Sequence, residues 1–210
     1  MKINVRNAVM PLIIITILVF MLQAIFGSSF TGAFLLTKGS VFSEQWRLVT
    51  AMFLHGSPMH LFFNMYALLI FGPLLESRIG ARRFFIVYLG SGLIANIISS
   101  FFYNSALGAS GAVMGMLGAL IILMPDLQLL FFFIVPMPLW VAGILWAALD
   151  SFGVFFPSGT GNIAHLAGMA CGLGYGMMLK EKKKTFDRKF SSKSHMDKED
   201  MEEYLRTGRI

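Results

Sequence analysis

Residues 162–179 read NIAHLAGMACGLGYGMML. The stretch is close to the roughly 20 apolar residues a helix needs to cross a bilayer core of about 30 Å. Its single histidine, His165, is followed by Gly168, Gly172 and Gly176, which on a helix fall near one stripe with the imidazole. Small residues at four-residue spacing let two membrane helices meet backbone to backbone. A counterpart stands at residues 110–124, SGAVMGMLGALIILM, where Gly111, Gly115 and Gly118 follow Ser110. Gly111 and Gly115 on one side, with Gly168 and Gly172 on the other, are therefore expected to form a helix–helix seam.

The rest of the chain supports a membrane setting. Of 210 residues, 56% are apolar and only 13% charged, against about 25% charged in an ordinary soluble domain. The mean hydropathy is +0.71. Residues 1–179 carry seven Lys or Arg and four acids, whereas residues 180–210 carry ten and seven. The basic excess behind a pI of about 9.6 thus belongs to a tail. A soluble enzyme, a disordered chain and a nucleic-acid binder are poor readings of such a chain. One cysteine, Cys171, excludes an intramolecular disulfide and any multi-cysteine metal site. Neither a cofactor nor a metal is expected.

Hydropathy and breaker residues predict an all-α, polytopic bundle of six transmembrane helices at residues 8–26, 58–75, 84–103, 110–124, 138–152 and 162–179. A basic, mixed-charge tail follows over residues 180–210. The first run is long for a signal peptide and lacks an A-x-A-like cleavage site, so it reads as a retained span. Ser57-Pro58 looks like a helix cap followed by proline at the first helical position. Pro136-Met137-Pro138 interrupts an apolar run, which predicts an interfacial segment up to Val135 before the fifth span. Lys180-Glu181-Lys182-Lys183-Lys184 reads as a positive stop with attraction to anionic lipid, and residues 191–210 as disordered or a loosely attached helix.

Basic residues near span ends set orientation. With the N-terminus inside, Lys2, Arg6, Arg78, Arg82, Arg83 and the ten tail cations lie on the cytoplasmic side, and only Lys38 and Arg47 outside. Both termini are then cytoplasmic in a multi-pass protein of the cell membrane. Spans two, four and six all enter from outside, so His60 and Asn64, Ser110, and His165 fall in the outer third of the bilayer. His60 and Asn64 are spaced i, i+4 and share one helix face.

Polar groups in spans are costly and by default mark function. Taken alone, Ser110 would be a packing residue, and His165 a proton relay or a structural hydrogen-bonder. His55, in the loop before span two, reads as structural. Together the placements suggest a serine nucleophile with a histidine base. His60, Asn64 and the Ser110 backbone N–H would be donors for the developing oxyanion. Glu76 and Asp126 fall on the wrong side, Glu44 is in the first loop, and Asp150 has no motif around it. A Ser-His dyad without a carboxylate is the economical expectation.

Gly108-Ala109-Ser110-Gly111 with Ala164-His165-Leu166-Ala167-Gly168 resembles the signature of the rhomboid family of intramembrane serine proteases. So do His55-Gly56-Ser57-Pro58-Met59-His60 leading to Asn64, and Trp46-Arg47 in the first loop. The resemblance covers roughly residues 40–180. It implies Ser110 as nucleophile, His165 as base, and His60 and Asn64 at the oxyanion site. It further implies a water-filled cavity open to the outside, a first loop partly in the membrane, and access near span five for single-pass or polytopic membrane protein substrates. Many relatives carry an aromatic residue four positions after the serine, where this chain has Met114. The alternatives are a non-catalytic rhomboid-like protein that binds membrane clients, and a small proton-coupled transporter, though no internal repeat favours the latter.

Overall fold

The computed structural model describes residues 8–131, 135–156, 159, 161–191 and 201. Lys2, Arg6 and most of the tail after 191, which the sequence reads as disordered or loosely helical, lie outside the described residues. Helix α1, Val9–Phe34, contains a break at Gly27 (φ 68°, ψ −146°), where only glycine sits without strain. The break falls where the first span was expected to end, and the helix continues for seven residues beyond it. The first connection then folds as a short strand β1 (Leu36–Thr37), two short helices α2 (Ser40–Ser43) and α3 (Arg47–Thr50), and a tight 3-10 turn at Ala51–Phe53. Arg47 holds this connection together. Its guanidinium donates to the carbonyls of Gly32 (2.6 Å) and Leu35 (2.7 Å) and pairs with Glu44 at 2.8 Å.

Helix α4, Pro58–Ile79, starts at the cap expected from sequence: the Ser57 hydroxyl accepts from the His60 N–H at 3.1 Å. It runs one turn past the expected end at 75, to Gly80 at φ 81°, since Glu76, Ser77 and Arg78 tolerate a helix. Glu76 is not a surface charge. It is buried, and its carboxylate accepts the Ala8 N–H at the start of α1 (2.8 Å), where the helix dipole favours an anion. Helix α5, Ala81–Phe102, follows at once. A two-residue strand β2 (Ser105–Ala106) pairs antiparallel with β1.

Helix α6, Ser110–Leu123, is the centre of the molecule, with every residue from Gly111 to Leu120 buried. At 14 residues it is only about 21 Å long, which a helix lined by protein rather than lipid can tolerate. Three helices, α1, α4 and α5, are long and apolar enough by themselves to cross a membrane; α6 and α7 are shorter. Among the described residues the architecture is a helical membrane bundle.

The stretch before span five, expected to be interfacial, folds as part of an antiparallel hairpin, β3 (Gln128–Phe131) with β4 (Val135–Pro138), in register Gln128↔Pro138 and Leu130↔Pro136. The two prolines explain why a strand survives there. Spaced by two, they turn their missing donors to the same outer edge. The N–H of Leu139 faces the partner strand and donates to Leu127 (2.8 Å). Helix α7 is Leu139–Phe155, and α8 runs from Asn162 to Ser191, well past the end expected at 179. The lysine-rich segment contains good helix formers and no breaker, and Lys184 pairs with Glu181 one turn away (3.0 Å).

The seam between α6 and α8 is made of backbone. A methyl group at Gly168 would overlap the Gly111 carbonyl, and one at Gly172 the Gly115 carbonyl; a methyl at Gly176 would stand 3.2 Å from the Ala119 carbonyl. These pairs advance together along the chain, so the two helices are parallel. From the other side α5 brings Ser91 and Ala95 against Gly115 and Gly111. Gly172→Val should therefore lower stability by at least about 1–3 kcal/mol. Gly174→Ala, whose position faces open space, should stay within about 0.5 kcal/mol. Thermal unfolding of both variants in lipid nanodiscs checks this, and equal midpoints would contradict the seam.

Candidate active site

Ser110 opens α6. The turn before it depends on Gly108, whose φ of +118° is closed to other residues. Its missing side chain also makes room for the His60 imidazole: a Cβ there would lie 2.7 Å from Cε1 and 2.9 Å from Nε2. The Gly108 N–H donates to the Ala51 carbonyl (2.9 Å), tying the turn to the first connection. Intrahelical bonding in α6 begins with Val113 N–H to Ala109 (3.0 Å). The N–H groups of Ser110, Gly111 and Ala112 are therefore those a helix start leaves free, at its positive end.

His60 sits in the first turn of α4 and Asn64 one turn on, buried, with its amide donating to the His60 carbonyl at 2.9 Å. The sequence brought these two to one face, and the structure adds their neighbour. The rings of His55 and His60 meet edge to face with centroids 5.0 Å apart. His55 is held through its backbone by Gln23 of α1, whose side chain accepts its N–H (2.9 Å) and donates to its carbonyl (3.3 Å). This clamp between α1 and the loop was not legible from the sequence, because Gln23 sits in an apolar run with no periodic signal.

His165 lies in the first turn of α8, which is anchored by the Ile163 N–H donating to the Tyr103 hydroxyl (3.0 Å). The register of α6 and α8 brings Gly111 against Ala164, with a Cβ at Gly111 3.6 Å from the Ala164 carbonyl. The residues beside Ser110 and His165 are thus in contact at one level of the bundle. His60 is within electrostatic range of His165. Among the described residues, the hydrogen bond made by the His165 ring is to an acid and not to Ser110: its Nδ1 lies 3.0 Å from Asp150 Oδ1 on α7. The expectation that no carboxylate reaches the histidine needs correcting. Asp150 looked isolated because a partner fifteen residues away across a turn leaves no spacing signature. Met114 is buried in the core.

The rhomboid domain family matches residues 43–182. This chain belongs to the rhomboid family. It is similar to RHOMBOID-like protein 6, mitochondrial, of Arabidopsis thaliana (43% identical over 81 residues, 38% of this chain and 26% of that protein). It is also similar to rhomboid protein 1, mitochondrial, of Saccharomyces cerevisiae (32% over 157 residues, 70% and 45%). A third relative is rhomboid protease GluP of Bacillus subtilis (46% over 80 residues, 37% and 16%). The chain spans less than half the length of each of these relatives. The family acts on membrane proteins within the bilayer, and some of its members, the Bacillus subtilis protein among them, are named proteases.

One titration follows from the site's edge. Burial, and secondarily the neighbouring His60, pushes the His55 ring from 6.5 down to about 4. An unfolded chain takes up this proton near 6.5, the folded chain only near 4. The associated stability is thus complete above 6.5 and is lost as pH falls towards 4, up to about 3 kcal/mol. The thermal midpoint should fall between pH 7 and pH 4, and His55→Phe should flatten that fall. An unchanged slope in the variant would show that His55 is not the group responsible.

Proposed function

We propose that this chain is an intramembrane serine endopeptidase. It cleaves transmembrane protein substrates near the extracytoplasmic face, with Ser110 as nucleophile and His165 as base. The observation that carries the reading is the glycine seam, which sets the start of α6 beside the first turn of α8 while the His60 ring lies over Gly108. One hydroxyl, two imidazoles and a set of free backbone N–H groups then share one end of the bundle.

The chemistry follows from those groups. Ser110 Oγ attacks the scissile carbonyl carbon as His165 takes its proton. The carbonyl oxygen becomes an oxyanion, met by the α6 N-terminal N–H groups and by the side chains of His60 and Asn64. Collapse breaks the C–N bond, and His165 returns the proton to the leaving amine. Water then releases the acyl group by the same route in reverse. A helical peptide bond is shielded by its own hydrogen bonding, so the substrate unwinds locally on entering the site. Polar and irregular backbone at membrane depth is tolerated where it lines a water-filled cavity, which the reading requires here. Both termini lie on the cytoplasmic side and the site faces the opposite one, as the distribution of Lys and Arg favours. Single-pass or polytopic membrane proteins are the substrates. No nucleic acid takes part.

In proteoliposomes carrying a panel of transmembrane substrates, Ser110→Ala and His165→Ala should each reduce cleavage by at least about a thousandfold. Labelling by a serine-directed fluorophosphonate should disappear with either. Wild-type cleavage by Ser110→Ala would end the proposal. Asn64→Ala should retain labelling but lower kcat by about a hundredfold, and an unaltered kcat would remove Asn64 from the oxyanion site.

A further inference from the structure

We infer that Asp150 is a positioning residue for His165, fixing its imidazole from α7 so that Nε2 is the nitrogen left to act as base. The inference rests on the protease reading and deepens it.

Helix α7 is a poor place for an acid without a task. Most of its surface is exposed and apolar: Trp146, Leu149 and Phe152, the neighbours of Asp150 along the chain, are 50%, 70% and 62% exposed. Only Leu139, Gly143 and Asp150 are buried on it. A carboxylate on the packed face of an otherwise lipid-facing helix is costly, because the bilayer supplies neither water nor counter-ion. Its Oδ2 has no hydrogen-bond partner among the described residues. The 3.0 Å contact of Oδ1 with His165 Nδ1 is thus the interaction that compensates for its burial.

The placement is also rigid. One turn on, Gly153 packs directly against the Asn162 side chain at the start of α8, and one turn or so before the middle of α7, Gly143 packs against Ile121 of α6. A Cβ at either glycine would overlap these side chains, so Ile121 or Asn162 would have to give way. The Asp150–His165 contact therefore joins helices that also touch at Gly153–Asn162, while α7 rests on α6 at Gly143–Ile121.

A carboxylate can only accept, so Nδ1 carries the proton and Nε2 is the basic nitrogen. When His165 takes up the Ser110 proton, the imidazolium so formed is met by a negative charge already in place, and no group has to move. A histidine with the opposite tautomer would present an N–H to the serine and could not take its proton. Asp150 does not exchange protons with substrate.

The full chain in nanodiscs tests this with Asp150→Asn, Asp150→Ala and Asp150→Glu beside Ser110→Ala. The measurements are fluorophosphonate labelling rate, kcat and KM on a transmembrane substrate, thermal midpoint, and the ¹⁵N NMR signature of His165. Asp150→Asn should keep KM and the thermal midpoint while kcat and labelling rate fall together by at least about tenfold; Asp150→Glu should recover part of the loss. The wild-type His165 signal should report the proton on Nδ1. Asp150→Asn labelling and cutting at the wild-type rate overturns the positioning role and leaves the protease reading intact. Labelling that persists in Ser110→Ala overturns the reading beneath it. Should every Asp150 variant fail to fold, the wild-type ¹⁵N spectrum decides alone: a proton on Nε2 overturns the proposal.

Discussion

The contact on which the rest of this molecule depends is one in which side chains are missing. In a lipid solvent, apolar side chains gain nothing by leaving lipid for protein, so helix association has to come from close packing and polar contacts. The α6–α8 seam supplies the closest packing available, backbone on backbone at Gly111, Gly115, Gly168 and Gly172. Because α6 is enclosed on all sides, this seam fixes the register of the whole bundle about its axis. It also fixes the height at which Ser110 and His165 stand.

Around that axis the polar groups act as pins at the two ends. At one end Glu76 closes α1 against α4 through the Ala8 N–H, beside the near-contact of Val9 with Gly72. At the other, Gln23 holds the His55 backbone, Arg47 gathers the carbonyls of the first connection, and Tyr103 anchors the start of α8. These are desolvated hydrogen bonds, expensive to leave unmade, and they join elements far apart in sequence. Packing alone would let helices slide along their axes; a set of end contacts removes that freedom. The site lies at the end with more such contacts, where the first connection, the Gly108 turn and the tops of α4 and α8 are tied to one another.

Much of this was written in local pattern. The glycine stripes, the Ser57 cap and the His60–Asn64 spacing each act within one or two turns of helix, and a reader of the sequence meets them directly. The long apolar helices α1, α4 and α5 fall where hydropathy leads one to expect helices. What escaped was non-local or depended on paired edges. Asp150 and Gln23 touch their partners only after the fold is made. The hairpin at Gln128–Phe131 and Val135–Pro138 was hidden because prolines read as breakers until one sees that both face the unpaired edge. The extension of α8 through its lysines was missed because charge marks where lipid ends, not where a helix ends.

A Ser110–His165 dyad comes down to one distance. An experimental structure of the full chain in a lipid bilayer, resolved well enough to place side chains, would give the separation of Ser110 Oγ from the nearer ring nitrogen of His165. A working dyad should show hydrogen-bonding reach, about 2.6–3.2 Å, between parallel helices. A gap too wide for a proton to cross, or a serine and histidine at different depths of the membrane, would contradict it.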